Sequence, residues 1–241
     1  MNDQSSFWLD GREIPFRKGD TIMDAALRAG AYIPHLCHHP EVVPVGSCRI
    51  CVVGINGRAR AACTHPAAPG LRVDNGSEQI RAYRRGLLQM LFVEGNHVCP
   101  GCEKSGDCQL QALAYYCGML APELPHQYPR RALDASHPDT LIDFDRCILC
   151  GLCVRASTEL DHKRVFAIAG RGADSRLIVD AADGRLGSSR FEASDRAASV
   201  CPVGAILPKF RGYEVPIGER RYDRRPIDRA GNMEPKANPD G

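Results

Sequence analysis

A chain of 241 residues with 44% apolar and 25% charged residues suffices for one large or two to three small globular domains. A formal charge of +2 at pH 7 gives no strongly basic balance, which argues against nucleic acid as the main partner. The first six residues carry no basic or apolar leader pattern, and the longest apolar run, Leu91-Phe92-Val93, is far short of a membrane span, so a cytoplasmic protein without a membrane segment is expected.

The first elements predict a sheet with a crossing helix. Phe7-Trp8-Leu9, the turn Asp10-Gly11 and Glu13-Ile14-Pro15-Phe16 read as a hairpin. Thr21 with Asp24 resembles a capping box, Ile22, Ala25, Ala26 and Ala29 supply one apolar helical face, and Gly30 stops the helix. A second hairpin runs from Cys51 to Ala61 through Asn56-Gly57, and Leu71-Arg72-Val73 is a last short strand. Hairpin, helix and hairpin together suggest a β-grasp unit.

Cys37, Cys48, Cys51 and Cys63 fall on the loops of that unit. Twelve cysteines gathered into C-x2-C pairs, in a chain without an export signal, point to metal and not to disulfides. The spacing C-x10-C-x2-C-x11-C is a lengthened variant of the plant-type [2Fe–2S] pattern. Gly46 and Gly54 allow backbone to approach the sulfurs. A zinc site could use the same four thiolates, and spacing alone leaves that alternative open. His35, His38, His39 and His65 flank this set and are read as rim residues or hydrogen-bond donors.

Residues 77–94 form an amphipathic helix, with Ser77 as cap, Gly95 as stop, and Ile80, Tyr83, Leu87, Leu88, Met90 and Leu91 near i, i+3, i+4 spacing. It delivers the chain to His97, Cys99, Cys102 and Cys108, four soft or borderline donors within twelve residues. A short helix with Leu110, Leu113 and Ala114 follows, and Cys117 on it reads as a small buried hydrophobe. Residues 121–138 carry four prolines and read as a linker.

A strand over Leu141-Ile142-Asp143-Phe144 leads into Cys147-x2-Cys150-x2-Cys153, the bacterial ferredoxin run. The fourth cysteine of such a run serves a second cluster, but here that position is Ser157. A complementary run ending at Cys201-Pro202 would need cysteines where Phe191, Ser194 and Ala197 stand. One cluster of an ancestral pair has therefore lost all four ligands, and the other keeps Cys147, Cys150, Cys153 and Cys201. Val165-Phe166-Ala167-Ile168, Leu177-Ile178-Val179 and the Asp183-Gly184 turn suggest short strands inserted in a ferredoxin-like βαβ unit. From Pro208 onward eight Lys or Arg stand against six Asp or Glu, with Tyr213, Ile217, Tyr222 and Ile227 interleaved. The expectation is either a solvated tail or an arm that packs on a partner.

The pattern G-x-G-x-x-G and the P-loop are absent, and no catalytic constellation stands out. The reading is a non-catalytic relay of one-electron centres that binds neither NAD nor flavin itself. The expected class is α+β: a β-grasp [2Fe–2S] domain (1–76), a helical [4Fe–4S] domain (77–120), a linker (121–138), a ferredoxin-like [4Fe–4S] domain (139–207) and a partner-binding tail (208–241). A zinc-stabilised scaffold or nucleic-acid adaptor is the alternative of a different class.

The order of these sites resembles the N-terminal region of the large Fe–S subunit of respiratory complex I, a module shared with [FeFe] hydrogenases and NAD-dependent formate dehydrogenases. The resemblance rests on Gly46 to Val53, Cys102 to Gln111, Arg146 to Cys150 and Cys201 to Ala205, and covers roughly residues 7–207. A short free-standing version is similar to the small diaphorase subunits of NAD-reducing soluble [NiFe] hydrogenases. That resemblance implies a heterotetramer with an FMN- and NAD-binding diaphorase large subunit and the hydrogenase small and large subunits, and the reaction H2 + NAD+ = NADH + H+. The equivalent subunit of an NAD-linked formate dehydrogenase or a multimeric [FeFe] hydrogenase is the alternative. The resemblance also implies one [2Fe–2S] and two [4Fe–4S] clusters, with His97 as a ligand of the middle one. The family pattern H-x3-C is not met, however: position 95 is Gly95 and His97 lies two residues before Cys99, which keeps Cys117 open as an alternative fourth ligand.

Overall fold

The structure, a computed structural model, describes residues 5–232. The first unit holds β1 (Ser6–Leu9), β2 (Arg12–Pro15), α1 (Ile22–Arg28), β3 (Val52–Ile55), β4 (Arg58–Ala61) and β5 (Arg72–Asp74). They form a five-stranded sheet of order β2-β1-β5-β3-β4, with β1 and β5 parallel and the other neighbours antiparallel. Both expected two-residue turns are present: Asp10 and Gly11, and Asn56 and Gly57, all have positive φ, as a turn matching the strand twist requires. The Thr21–Asp24 capping box starts α1, and Gly30 at φ 68° ends it. Phe7, Ile14, Ile22, Met23, Ala26 and Val53 fill the space between helix and sheet.

Next comes α2 (Glu78–Glu94), capped by Ser77, then a 3-10 turn at Cys99–Gly101 and α3 (Gln109–Tyr116). The buried face of α2 differs from the expected one. Ile80 and Leu88 are buried, but Tyr83 and Met90 are about half exposed, and the residue between Ile80 and Leu88 on the buried face is Arg84, 2% exposed. Its guanidinium donates to Ile50 O (3.2 Å), Val52 O (2.7 Å), Asn75 O (2.8 Å) and Asn75 Oδ1 (2.7 Å). Four acceptors compensate a charge that apolar surroundings would not tolerate.

The remaining elements are β6 (Leu133–Asp134), β7 (Thr140–Asp143), α4 (Leu152–Glu159), β8 (Phe166–Ala169), β9 (Arg176–Val179), α5 (Arg196–Ser199), β10 (Ile206–Pro208), α6 (Arg221–Arg224) and α7 (Ile227–Ala230). Strand β7 pairs antiparallel with both β10 and β6, so the end of the stretch expected as a linker supplies a sheet edge. The expected inserted strands β8 and β9 form their own antiparallel hairpin. The antiparallel β7–β10 pair departs from a parallel βαβ unit: the intervening helices return the chain to the sheet in the opposite direction.

The positions of the lost ferredoxin ligands are core. Phe191 and Ala197 are buried, and the Phe191 ring meets Phe166 and His137 edge-on. Burying each phenylalanine contributes roughly 2–3 kcal/mol. Ser157 is fully buried and its Oγ accepts from Val165 N at 2.8 Å. A hydrophobic cluster thus stands where the ferredoxin pattern would place a second set of ligands.

The tail divides in two. Phe210, Tyr213, Val215 and Ile217 are exposed, whereas α6 and α7 fold back on this chain. Ile227 is buried against the α3 layer. Asn232 Nδ2 donates to His35 O (2.7 Å) and Gln109 Oε1 (2.6 Å), and its Oδ1 accepts from Tyr32 OH at 2.9 Å. The described end of the tail is therefore neither a free solvated arm nor one reserved for a partner. The tail expectation for 233–241 lies outside the described residues.

Candidate metal centres

The first set sits on loops that the sheet holds in place. Cys37, Cys51 and Cys63 are buried and Cys48 is half-buried; all twelve cysteines of the chain are free. The Sγ atoms of Cys51 and Cys63 are 3.4 Å apart, close to the roughly 3.8 Å between two sulfurs bound tetrahedrally to one metal at about 2.3 Å. Cys48 N donates to Cys37 Sγ at 3.4 Å. Gly46 at φ 66° and Arg49 at φ 60° bend this loop round the sulfurs, and a Cβ on Gly46 would press on Thr64. Hydrogen bonds from the Cys48 and Cys63 thiols hold Cys37 far below the ordinary thiol range, while Cys48 and Cys63 are pushed up as donors. A bound cation would turn the whole crowd into thiolates.

The middle set is held from outside. His97 lies two residues before the 3-10 turn, Cys99 opens that turn, Cys102 follows it, and Cys108 stands at the N-cap of α3. His97 Nε2 is buried and has no hydrogen-bond partner. Burial first, and then Arg146, lowers its pKa to about 4, so it is a neutral imidazole fit to donate a lone pair. A side chain at position 95 would collide with its ring, 2.7 Å from Cδ2. The imidazole of His97 thus fills the space that a side chain from 95 would occupy, which accounts for the departure from H-x3-C. Cys117, in contrast, caps the far end of α3, about 13 Å along the helix from Cys108. Burial raises its pKa, and Arg84 is the nearest charge influencing it. The surroundings match a packing thiol.

Three distant segments close the middle loop. Arg146 Nη1 reaches Cys102 Sγ at 3.6 Å and Glu103 at 2.7 Å, and its Nε pairs with Asp143 at 2.8 Å. A Cβ on Gly204 would stand 3.2 Å from Cys102 Sγ, so the Cys-Pro-Val-Gly loop lies against this set. Tail residue Arg220 donates to Ser105 O (3.0 Å), and Tyr222 N donates to Gly106 O (2.9 Å).

In the third set Cys150 and Cys153 are buried and Cys147 and Cys201 half-buried. Cys147, Cys150, Cys153 and Cys201 line one small apolar cavity together with Leu177 and Val203. Leu149 at φ 51° and Gly151 at φ 68° wrap the loop around it. Burial pushes the thiol of Cys147 up to about 11 and those of Cys150 and Cys153 higher, opposed by the backbone N–H groups of Leu149, Leu152 and Val154. Thiolates at this depth need a cation. Among the described residues no three His, Cys, Asp or Glu side chains are grouped to hold a single metal ion.

Hydrogen bonds link the third set to both of the others. Arg155 joins it to the first set through Cys150 O and Cys37 O. Gln109 N donates to Pro202 O at 2.9 Å, joining it to the middle set. Sequence reading missed Arg84, Arg146 and Arg155. Arg84 had a signal, a charge on the line between Ile80 and Leu88; the partners of the other two are far apart in sequence.

The comparisons with known proteins follow this order. Residues 3–78 match a 2Fe-2S iron-sulfur cluster binding domain, 84–122 the NADH-ubiquinone oxidoreductase-G iron-sulfur binding region, and 141–207 a 4Fe-4S single cluster domain. The chain is 38% identical over 216 residues to the NAD-reducing hydrogenase HoxS subunit gamma of Cupriavidus necator, covering 89% of this chain and 92% of that one. It is 34% identical to the NADPH-Fe(3+) oxidoreductase subunit alpha of Geobacter sulfurreducens over 86% of this chain, but spans only 25% of that relative. Similarly, it spans 28% of the Candida albicans NADH-ubiquinone oxidoreductase 78 kDa subunit, at 32% identity over 83% of this chain. A solved chain in an NAD+-reducing [NiFe]-hydrogenase in the H2-reduced state superposes with a TM-score of 0.91 at 56% identity, covering 95% of this chain and 97% of that one. No helix among the described residues is long and apolar enough to cross a membrane. With its 2Fe-2S and 4Fe-4S domains in this order and near-complete coverage of a relative, the chain belongs to the family of the gamma subunit of NAD-reducing hydrogenase HoxS.

Proposed function

We propose that the chain is the electron-transfer subunit of a cytoplasmic NAD-reducing hydrogenase, between a hydrogenase module of small and large subunits and an FMN- and NAD-binding diaphorase subunit. Its β-grasp unit holds one [2Fe–2S] cluster on Cys37, Cys48, Cys51 and Cys63. Two [4Fe–4S] clusters are held by His97, Cys99, Cys102 and Cys108, and by Cys147, Cys150, Cys153 and Cys201. The units are 1–76, 77–120 and 139–207, joined by 121–138, with the exposed part of the 208–241 tail left for a partner.

The observation that carries this reading is the third set. Four cysteines separated by up to 54 positions (201 − 147) line one apolar cavity, and hydrogen bonds link the loops around it to both other sets. Bound clusters take up and release single electrons without making or breaking bonds to substrate. The protein's part is to hold the ligands in fixed positions, exclude water with Leu177 and Val203, and supply positive charge and N–H donors that favour the reduced state. Near-complete coverage of the hydrogenase relative, against about a quarter of the longer ones, favours this over the formate dehydrogenase and [FeFe] hydrogenase alternatives.

Anaerobic holoprotein is expected to contain about ten iron atoms per chain. A colourless preparation with three zinc ions and no sulfide would establish the scaffold reading instead. The functional test is His97→Cys in the assembled enzyme. Replacing imidazole by thiolate adds one negative charge, so the middle cluster keeps its four irons but becomes harder to reduce. Dye reduction by hydrogen, taken at the hydrogenase end, stays at the parent rate, while NAD reduction by hydrogen slows. Equal loss in both assays would show that His97 supports assembly and not transfer.

A further inference from the structure

Between the first and third sites lies a buried cation whose hydrogen-bond partners are all backbone carbonyls. Arg155 stands in α4, two residues after Cys153, and is 8% exposed. Its Nη2 donates to Cys37 O at 2.6 Å and to Cys150 O at 3.4 Å. Nη1 donates to Val43 O at 2.7 Å, and Nε to Gly151 O at 3.2 Å. Arg155 forms no ion pair among the described residues. The nearby carboxylates are engaged elsewhere: Glu159 accepts from Val43 N at 2.9 Å, and Glu41 pairs with Arg196.

This arrangement is more than a clamp requires. Neutral amide donors could tie four carbonyls together without carrying a charge into the interior. A buried guanidinium without an anion is costly, because carbonyl dipoles replace only part of its hydration. Two neighbouring groups can supply the missing anion. Each of the flanking four-cysteine sets becomes a net anion once it holds its cluster as thiolates, and Arg155 is hydrogen-bonded to the backbone of one ligand from each.

We propose that Arg155 is a positioning residue that sets the reduction potentials of the first and third clusters jointly. The inference rests on the cluster reading above. Adding one electron to either cluster adds one negative charge and changes no bond. A fixed positive charge favours that reduced state at both sites and raises both potentials together. Arg155 makes no hydrogen bond to the middle set, which has its own cation, Arg146, 3.6 Å from Cys102 Sγ, so the shift is expected at the first and third clusters.

The test is a mediated dithionite titration of the assembled holoenzyme, followed by electron paramagnetic resonance, on the parent, Arg155→Gln and Arg155→Lys. Arg155→Gln keeps N–H donors and removes the charge; the midpoints of the first and third clusters move downward together and that of the middle cluster stays. Arg155→Lys keeps the charge with fewer donors and restores most of the shift, although it loses stability. Unmoved midpoints in Arg155→Gln, with parent-like cluster signals, would overturn the proposal and leave the relay reading intact. Equal shifts in both variants, or loss of the clusters in both, would overturn it too, because geometry and not charge would then be what matters. A parent enzyme without cluster signals would overturn the relay reading and this inference with it.

Discussion

The first and middle centres use the same donors but are built on opposite principles. The first draws its ligands from 27 consecutive positions (37–63), all within one sheet-and-helix unit with its own core. Its loops are fixed by turns whose left-handed residues are local, and by Arg84 reaching in from the neighbouring helix. The middle centre draws its ligands from only 12 positions (97–108), and although turn hydrogen bonds such as Cys102 N to Cys99 O and Ser105 N to Cys102 O shape that loop locally, much of its surroundings comes from distant segments. Arg146, Gly204, Arg220 and Tyr222 press on that loop from 40 or more residues away. Compact ligand spacing is therefore no measure of a self-sufficient site. A loop rich in Gly and Pro encloses a cluster only when other parts of the chain supply its walls.

Four changes separate the two modes of construction. The largest effect is expected from Arg84→Met. It strands the carbonyls of Ile50, Val52 and Asn75 in the interior, at about 3–4 kcal/mol in total. Thermal unfolding with iron analysis should show the two-iron centre lost first and the eight other irons held to higher temperature. Simultaneous loss of all ten would mean that the units do not melt separately.

Acid comes next. Burial lowers the pKa of His35 to about 4 from the ordinary histidine value of about 6.5, so the folded state prefers the neutral ring. The unfolded chain binds more protons between these values. Stability is therefore full above about pH 6.5 and falls as pH drops toward 4, by about 3 kcal/mol from this residue. Denaturant midpoints across that range should flatten in His35→Gln; an unchanged slope would assign the acid sensitivity to other groups, His97 among them.

Gly106→Ala probes the middle centre alone. Gly106 has φ +80°, where a side chain is strained, and an added Cβ would lie 2.6 Å from Arg220 Cδ, so the Arg220 side chain must shift from its place on the loop. A loss of about 2 kcal/mol is expected, with faster release of four irons and an unaltered two-iron signal. Retention of all irons at the parent rate would show that the tail is dispensable to the loop.

The smallest change is Cys117→Ser, which replaces a buried thiol by a hydroxyl away from both centres. About 1 kcal/mol of stability is lost, and iron content and spectra stay as in the parent. Loss of four irons would instead make Cys117 the fourth ligand in place of His97.

Much of this was legible in the sequence for a physical reason. Two-residue turns, capping boxes and helix stops are settled by residues within four positions of each other. Asp10-Gly11, Asn56-Gly57, Thr21–Asp24 and Ser77 could therefore be read directly, and the structure has each in place. Metal-binding chemistry was legible in the same way, because clustered soft donors at C-x2-C spacing suit a metal better than a disulfide framework. The buried face of α2 was misread because apolar periodicity counts Tyr83 and Met90 as core and Arg84 as surface. Arg84 goes inward only because the carbonyls of Ile50 and Val52, some thirty residues earlier, meet it there.

By itself, then, the sequence determined the ligand types, their grouping into three sets, and the local frame of the first. Tertiary structure alone decided that the third set is hydrogen-bonded to both of the others, that His97 fills the space beside Gly95, that phenylalanine core occupies the region of the lost ferredoxin ligands, and that the tail returns to strap the middle loop. Each of these depends on contacts between residues distant in the chain, where the outcome is set by which surfaces meet after folding and no short-range pattern encodes it.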